Sequence, residues 1–203
     1  MQNYLMLNGK QINLTEEQIN SIKQSFNTGD VLLSTLKPAE TFKIGKYEFF
    51  MLEQFGDSAV VLLKDLLQDD VEFSDNNNNY DGSNVDNICT EFGTVIENII
   101  GADNLVEHTV DLTSDDGLKC YGSVNRKMSL LTAEQYRKYV YTIDEHKLNK
   151  WWWTATAYST PKHEDKSWIK CVSPGGFMGN DYCNYGIGVR PFCILKSNIF
   201  VSK

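Results

Sequence analysis

Nothing in this chain is long and apolar enough to cross a bilayer: its longest apolar runs, such as Ala59 to Leu63, fall far short of the ~20 residues a spanning helix needs. Histidine is scarce, and His108, His146 and His163 have no metal-ligand or catalytic spacing to one another. The cysteines, Cys89, Cys120, Cys171, Cys183 and Cys193, are odd in number and contain no C-x-x-C pair. With no charged, apolar leader ahead of them, they predict reduced thiols and a cytoplasmic site of synthesis. Cys171, Cys183 and Cys193 match no zinc module, so the set reads as small buried hydrophobes. No nucleotide-binding glycine fingerprint and no nucleophile elbow occur: Gly175-Gly176 after Pro174 is a turn, and Gly186-x-Gly188 follows a loop rather than opening a helix. Asp115-Asp116 and Glu164-Asp165 read as solvated turns. No catalytic residue, metal or cofactor is therefore expected.

Positive charge is also short. With 19 Lys and Arg against 27 Asp and Glu, the net charge of -8 argues against a phosphate-backbone binder, so neither direct nucleic-acid binding nor membrane contact is expected. An acidic protein that occupies a basic groove on a nucleic-acid enzyme remains an alternative.

What is present is enough for one sizeable core, since 41% of 203 residues are hydrophobic and 12% aromatic. Tyr4 to Leu14 reads as a hairpin around Asn8-Gly9, and Thr15-Glu16-Glu17-Gln18 has capping-box spacing ahead of a helix with Ile19, Ile22 and Phe26 on one stripe. A unit this small must dock on the rest of the chain or pair with a second copy, which divides the chain into residues 1–40 and 41–203 and makes residues 1–29 a candidate homo-oligomer contact. Phe42 to Glu53 and Ser58 to Leu63 read as core strands around Gly56-Asp57. Asp75 to Gly82 alternates Asp and Asn like a calcium loop, but counting from Asn77 the twelfth position is Ile88, where a bidentate Glu is needed. It reads instead as a turn into a helix capped by Ser83, with Val85, Ile88, Phe92, Val95, Ile96 and Ile99 as its buried stripe. Leu105 to Leu112 is extended, and Thr132-Ala133-Glu134-Gln135 caps a second helix carrying Tyr136, Tyr139, Val140 and Ile143.

The last quarter is all strand and loop: Trp151 to Tyr158, Ser167 to Val172 and Val189 to Leu195 read as strands. Alternation along the first puts Trp152 on the opposite face from Trp151 and Trp153, so one large aromatic must meet a second layer, a groove or a partner. Near the ends of these strands and in the loops that join them lie Tyr158, His163, Trp168, Phe177, Asn180, Asp181, Tyr182, Asn184 and Tyr185. Rigid aromatics with adaptable amides make good binding surfaces, and these nine are the candidate partner-binding residues, although His163 by itself reads as a solvated loop residue. Arg190, between Val189 and Pro191, reads as a buried arginine satisfied by carbonyls or a carboxylate.

The Trp151-Trp152-Trp153 strand and the closing Gly188-Val189-Arg190-Pro191 resemble an uncharacterised domain family of phages, prophages and gut bacteria, whose members carry a W-W-x-x-S/T strand and finish on G-V-R-P before an apolar strand. Asn79-Tyr80 with Gly82-Ser83 resembles that family's helix start, and Lys127 to Glu134 its "F-L-L-S-x-x-E" segment. The resemblance runs from roughly Phe42 to the C-terminus, and it implies an α+β, C-type-lectin-like fold shared with formylglycine-generating enzymes and with phage tropism determinants. It also implies that Trp151, Trp152, Trp153, Gly188, Arg190 and Pro191 are structural. The paired-cysteine copper site and the histidine iron cluster of the enzymatic branches find no match here, nor does a calcium-lectin E-P-N or W-N-D motif. The resulting expectation is a non-catalytic viral binding protein, cytoplasmic or virion-associated, with a protein or glycan partner. The alternatives are a cytoplasmic phage accessory protein that inhibits a host antiviral protein, and a metal-dependent enzyme of the formylglycine-generating-enzyme superfold.

Overall fold

The computed structural model describes residues 4–7, 10–15 and 30–203. The Asn8-Gly9 turn and the helix expected after Thr15 lie outside the described residues. β1 (Tyr4–Leu7) and β2 (Lys10–Asn13) pair antiparallel, with Leu7 opposite Lys10.

β3 (Asp30–Leu32) leads to β4 (Thr41–Ile44), which turns back at once as β5 (Tyr47–Phe55). The single strand expected from Phe42 to Glu53 is thus a hairpin, because Gly45 takes φ 58°, a left-handed conformation that any Cβ disfavours. β6 (Ser58–Leu63) follows the Gly56-Asp57 turn as expected. β7 (Gln68–Glu72) carries no apolar alternation, which is why the sequence did not signal it: only Val71 of its five residues is buried.

Ser83 caps α1 (Asn84–Ile100), its Oγ accepting from the Asp86 N–H at 3.2 Å, and Gly101 ends the helix at φ 88°. Buried Asp86 takes a two-pronged ion pair from Arg126, whose Nε and Nη2 donate at 2.8 and 2.7 Å. Val85, Phe92 and Ile96 are buried as expected, Ile88 is half-buried, and Val95 and Ile99 are exposed. The correction has a geometric cause. The packed face is centred on Cys89 and Ile96, and it includes Gly93, where a Cβ would come within 3.1 Å of the Met128 Cβ. Val95 is left on the shoulder and Ile99 on the last turn.

The extended run from Leu105 divides into β8 (Leu105–Val106) and β9 (His108–Asp111), the latter paired with β10 (Ser123–Arg126). After β11 (Met128–Leu130) comes α2 (Ala133–Asp144), with the expected capping box: Thr132 Oγ accepts from the Gln135 N–H at 3.1 Å, and Gln135 Oε1 from the Thr132 N–H at 2.8 Å. Tyr136, Tyr139 and Ile143 form its buried face, with Val140 half-buried. The remainder is β12 (Trp152–Ala157), a 3-10 turn at Pro161–His163, β13 (Trp168–Val172), β14 (Met178–Tyr182), β15 (Gly186–Val189), β16 (Pro191–Lys196) and β17 (Phe200–Ser202). The stretch from Met178 to Tyr182 is thus a strand rather than a loop.

The described residues form an α+β fold, mostly strand, with a curled antiparallel sheet in the order β11-β16-β6-β5-β4-β17-β3, in which β8 also pairs with β16. A five-stranded sheet, β14-β13-β12-β15-β7, contains one parallel pair, β12 with β15. No helix among the described residues is long and apolar enough to cross a membrane.

β12 separates two apolar clusters. Trp153 belongs to one with Phe73, Ile169 and Cys171, and its indole N–H donates to the Val71 carbonyl at 2.8 Å. Trp152 belongs to the other with Phe50, Val172 and Phe192, edge-on to Tyr136 of α2. The predicted alternation of faces is what the strand does. Trp151, just before β12, lies over Gly179, where a Cβ would come within 2.8 Å of its ring.

Val189 to Leu195 was expected as one strand; it is two, in different sheets, broken at Arg190. Arg190 is fully buried, with Nε donating to the Leu63 carbonyl at 2.9 Å and Nη2 to those of Lys64 and His146 at 2.7 and 3.1 Å. Its guanidinium lies 5.3 Å from the Phe50 ring centroid and 5.5 Å from that of Trp152. The Val189-Arg190-Pro191 segment must leave one sheet and enter the other at this point, and the side chain fastens the switch. Gly188 fits beside it because a Cβ there would press on Leu66 at 2.5 Å and on the Trp151 carbonyl at 2.8 Å.

Candidate functional site

The β13–β14 hairpin is in uninterrupted register, with Trp168 opposite Tyr182, Lys170 opposite Asn180 and Val172 opposite Met178. Side chains directly opposite share a face, so Trp168, Asn180 and Tyr182 emerge together with Lys170 buried beneath them. Trp168 and Tyr182 pack with their rings tilted by 36° and centroids 3.9 Å apart, and Tyr185 meets Tyr182 edge-on at 5.6 Å. Tyr182 and Tyr185 remain 39% and 54% exposed, so this three-ring cluster is an accessible surface. The tight turn from Tyr182 to Tyr185, whose amide donates to the Tyr182 carbonyl at 2.9 Å, holds the third ring in place.

Tyr158 joins this surface through Lys170. The Lys170 ammonium lies 5.7 Å from the Tyr158 ring centroid and 3.3 Å from Asp115, which also accepts from Arg137 at 2.6 Å. Burial pushes the Asp115 carboxyl up, but the two cations outweigh it and hold the group below the usual carboxylate range.

Asp116 next to it takes hydrogen bonds from Ser114 Oγ and Ser159 Oγ, both at 2.5 Å, and contacts His163 Nδ1 at 2.9 Å. The two hydroxyls, with His163 adding to them, hold its carboxyl well below the usual range. The residue types are those of a nucleophilic triad, but the connectivity is not. Ser159 donates to the carboxylate rather than to the imidazole, so His163 is not placed to activate it. The constellation braces the 114–118 turn against the end of β12, where Asp115 also donates its N–H to the Ala157 carbonyl at 2.9 Å.

Fully buried Asn78 supports the same region from below. Its Nδ2 donates to the carbonyls of Ser159 and Trp168 at 3.1 Å each, and its Oδ1 accepts from the Tyr121 hydroxyl at 2.6 Å. The Asp/Asn-rich run thus supplies an anchor for the aromatic strand as well as the helix start.

Of the nine sequence candidates, Trp168, Tyr182 and Tyr185 touch ring to ring, Asn180 and Tyr158 flank them, and Asn184 is exposed in the turn. Asp181 alternates to the other face of β14, where it accepts the Tyr182 N–H at 2.9 Å. Phe177, 62% exposed, pairs with Trp151 at 5.8 Å near the hairpin turn, and His163 belongs to the Asp116 brace, so neither is part of the cluster. Asp115-Asp116 is the exposed turn expected, with the ion pairs and brace added by its carboxylates, whereas Lys170 and Ser159 were missed; Lys170 carried a signal, as a charge inside an otherwise apolar strand. No family model, no curated protein and no solved structure matches this chain. Among the described residues, no three His, Cys, Asp or Glu side chains gather as a group that could hold a metal ion. Four cysteines are buried as expected, but Cys120 is exposed, where Thr160 Oγ1 donates to its sulfur at 3.3 Å.

Proposed function

We propose that this chain is a non-catalytic binding module of C-type-lectin-like architecture and of phage or prophage type, which takes a protein or glycan on the Trp168–Tyr182–Tyr185 surface. The single observation behind this reading is the accessible cluster of three rings, held rigid by strand register on one side and by the Asn78 and Asp116 braces on the other. Rigid aromatic area costs little side-chain entropy on binding, and Asn180 and Asn184 at its border provide donors and acceptors for orientation. The module works in the bacterial host cytoplasm or on the virion.

The test compares the full chain with a Trp168→Ala/Tyr182→Ala/Tyr185→Ala variant against host lysate and a glycan panel, with far-UV circular dichroism to confirm the fold. Binding retained by the wild type and lost at least tenfold by the variant is the expected result; equal binding by both refutes the assignment. A partner held by both and released by salt favours the inhibitor reading instead, through acids such as Asp69, Asp70 and Glu72 on β7.

A further inference from the structure

Among the described residues, β14 is a sheet edge that pairs only with β13. Ser173 donates its N–H to the Phe177 carbonyl at 3.0 Å and Cys183 donates to that of Ser167 at 2.7 Å, so the odd-numbered positions of β14 bond inward. Met178, Asn180 and Tyr182 therefore direct N–H and C=O outward. Tyr182 is already occupied, its N–H by Asp181 Oδ1 and its carbonyl by the Tyr185 N–H. Met178 and Asn180 are left, and Asn180 is exposed.

Exposed edges are ordinarily guarded by charge, proline or bulges. The opposite edge of the same sheet is: β7 exposes Gln68, Asp69, Asp70 and Glu72, places Asp70 at φ 57° and pairs with β15 through a register shift. β14 has no lysine, arginine, proline or bulge, and its one charge, Asp181, is turned back onto the Tyr182 amide.

We infer that two copies of this chain pair edge to edge through β14, antiparallel about a two-fold axis at Asn180, joining two five-stranded sheets into one. Alternation fixes what meets what. Asn180 faces the partner's Asn180, Met178 faces the partner's Tyr182, and Gly179 faces the partner's Asp181, so no like charges stand directly opposite. Two Met–Tyr pairs close the ends, a favourable sulfur–aromatic contact. A second acidic edge such as β7 would instead bring carboxylate against carboxylate. Five residues a side bury less than the ~1,200 Å² typical of stable complexes, so the association is a weak one. The charge of -8 on each copy opposes association, so added salt strengthens it. The two-fold would set the pair of Tyr182 rings about 14 Å apart along the joined sheet, and two aromatic clusters on one face would bind a repetitive ligand bivalently.

The experiment is sedimentation velocity of the full chain from about 10 µM to about 1 mM at low and high salt, beside Asn180→Pro and Asn180→Lys. Proline at 180 removes only an outward N–H and leaves the β13–β14 ladder bonded, and lysine guards the edge without touching the backbone. The expected result is a mass rising toward two chains for the wild type, more so in salt, and one chain for both variants. Exchange of the Asn180 amide, whose opposite number is free on both sides, should slow severalfold with wild-type concentration. One chain throughout the range overturns the inference, as does association that both variants share with the wild type or that leaves the Asn180 amide unprotected.

Discussion

Replacing Arg190 by methionine tests whether the guanidinium is what holds the sheet switch. The side chain donates to three carbonyls, those of Leu63 and Lys64 at the end of β6 and that of His146 beyond α2, and Nη1 finds no hydrogen-bond partner among the described residues. Methionine fills similar volume and removes the cost of a buried charge, several kcal/mol, which works in its favour. Against that, three carbonyls lose a charged donor at about 1.5–3 kcal/mol each, and the contacts with Phe50 and Trp152 forfeit about another 1 kcal/mol. The net is a loss of about 3 kcal/mol. With a slope of ~2 kcal/mol per molar urea, the unfolding midpoint should fall by about 1.5 M at unchanged slope. Arg190→Lys should lose about 2 kcal/mol, since one ammonium cannot span carbonyls on two segments. The assay is urea unfolding followed by tryptophan fluorescence. A methionine variant within ~1 kcal/mol of wild type would falsify the argument, because the carbonyls would then have found other donors.

Burial pushes His108 down to about 4 in the folded chain, while unfolding restores a value near 6.5. The unfolded state takes the proton first as pH falls, so stability is fully present above about pH 6.5 and declines toward pH 4 by at most about 3 kcal/mol; a His108→Gln variant with the same decline contradicts this. Cys120 should be the one thiol that reacts rapidly with an aromatic disulfide reagent in the native chain, since burial raises Cys89, Cys171 and Cys193, with all five reacting after unfolding; a second fast thiol counts against the packing described. Gly188→Ala forces a Cβ against Leu66 and the Trp151 carbonyl and should lower stability by about 2 kcal/mol or more, whereas a neutral result in thermal unfolding means that the two strands can separate there without cost.

The features that sequence disclosed are those encoded within a few residues. Both helix caps, at Ser83 and Thr132, and the alternating burial of Trp152 and Trp153 depend on spacing alone. Features set by what lies across the fold stayed hidden. Val189 to Leu195 is continuously apolar apart from Arg190, and an apolar run has no local mark for a change of sheet. β7 is nearly all polar because one side of it is an edge, so period-2 reasoning passes over it. The aromatic cluster was half legible: the ring-bearing residues were picked out by type, but sorting Asp181 and Phe177 away from Tyr182 needed the β13–β14 register. Asn78 and Asp116, which brace the surface, act on partners some forty to ninety residues away, and composition reports only a polar turn.

The division of Trp152 and Trp153 between two cores bears on how the molecule comes apart. Neighbouring residues on one strand cannot be withdrawn separately, because displacing either indole rotates the backbone that places the other. Neither layer can therefore melt while the other stays native, and β12 should be among the last segments to surrender its amide protons to solvent. Loosening by ligand, acid or mutation should then be confined to the periphery, at the β14 edge and the loops around Tyr185, while the centre responds all at once or not at all.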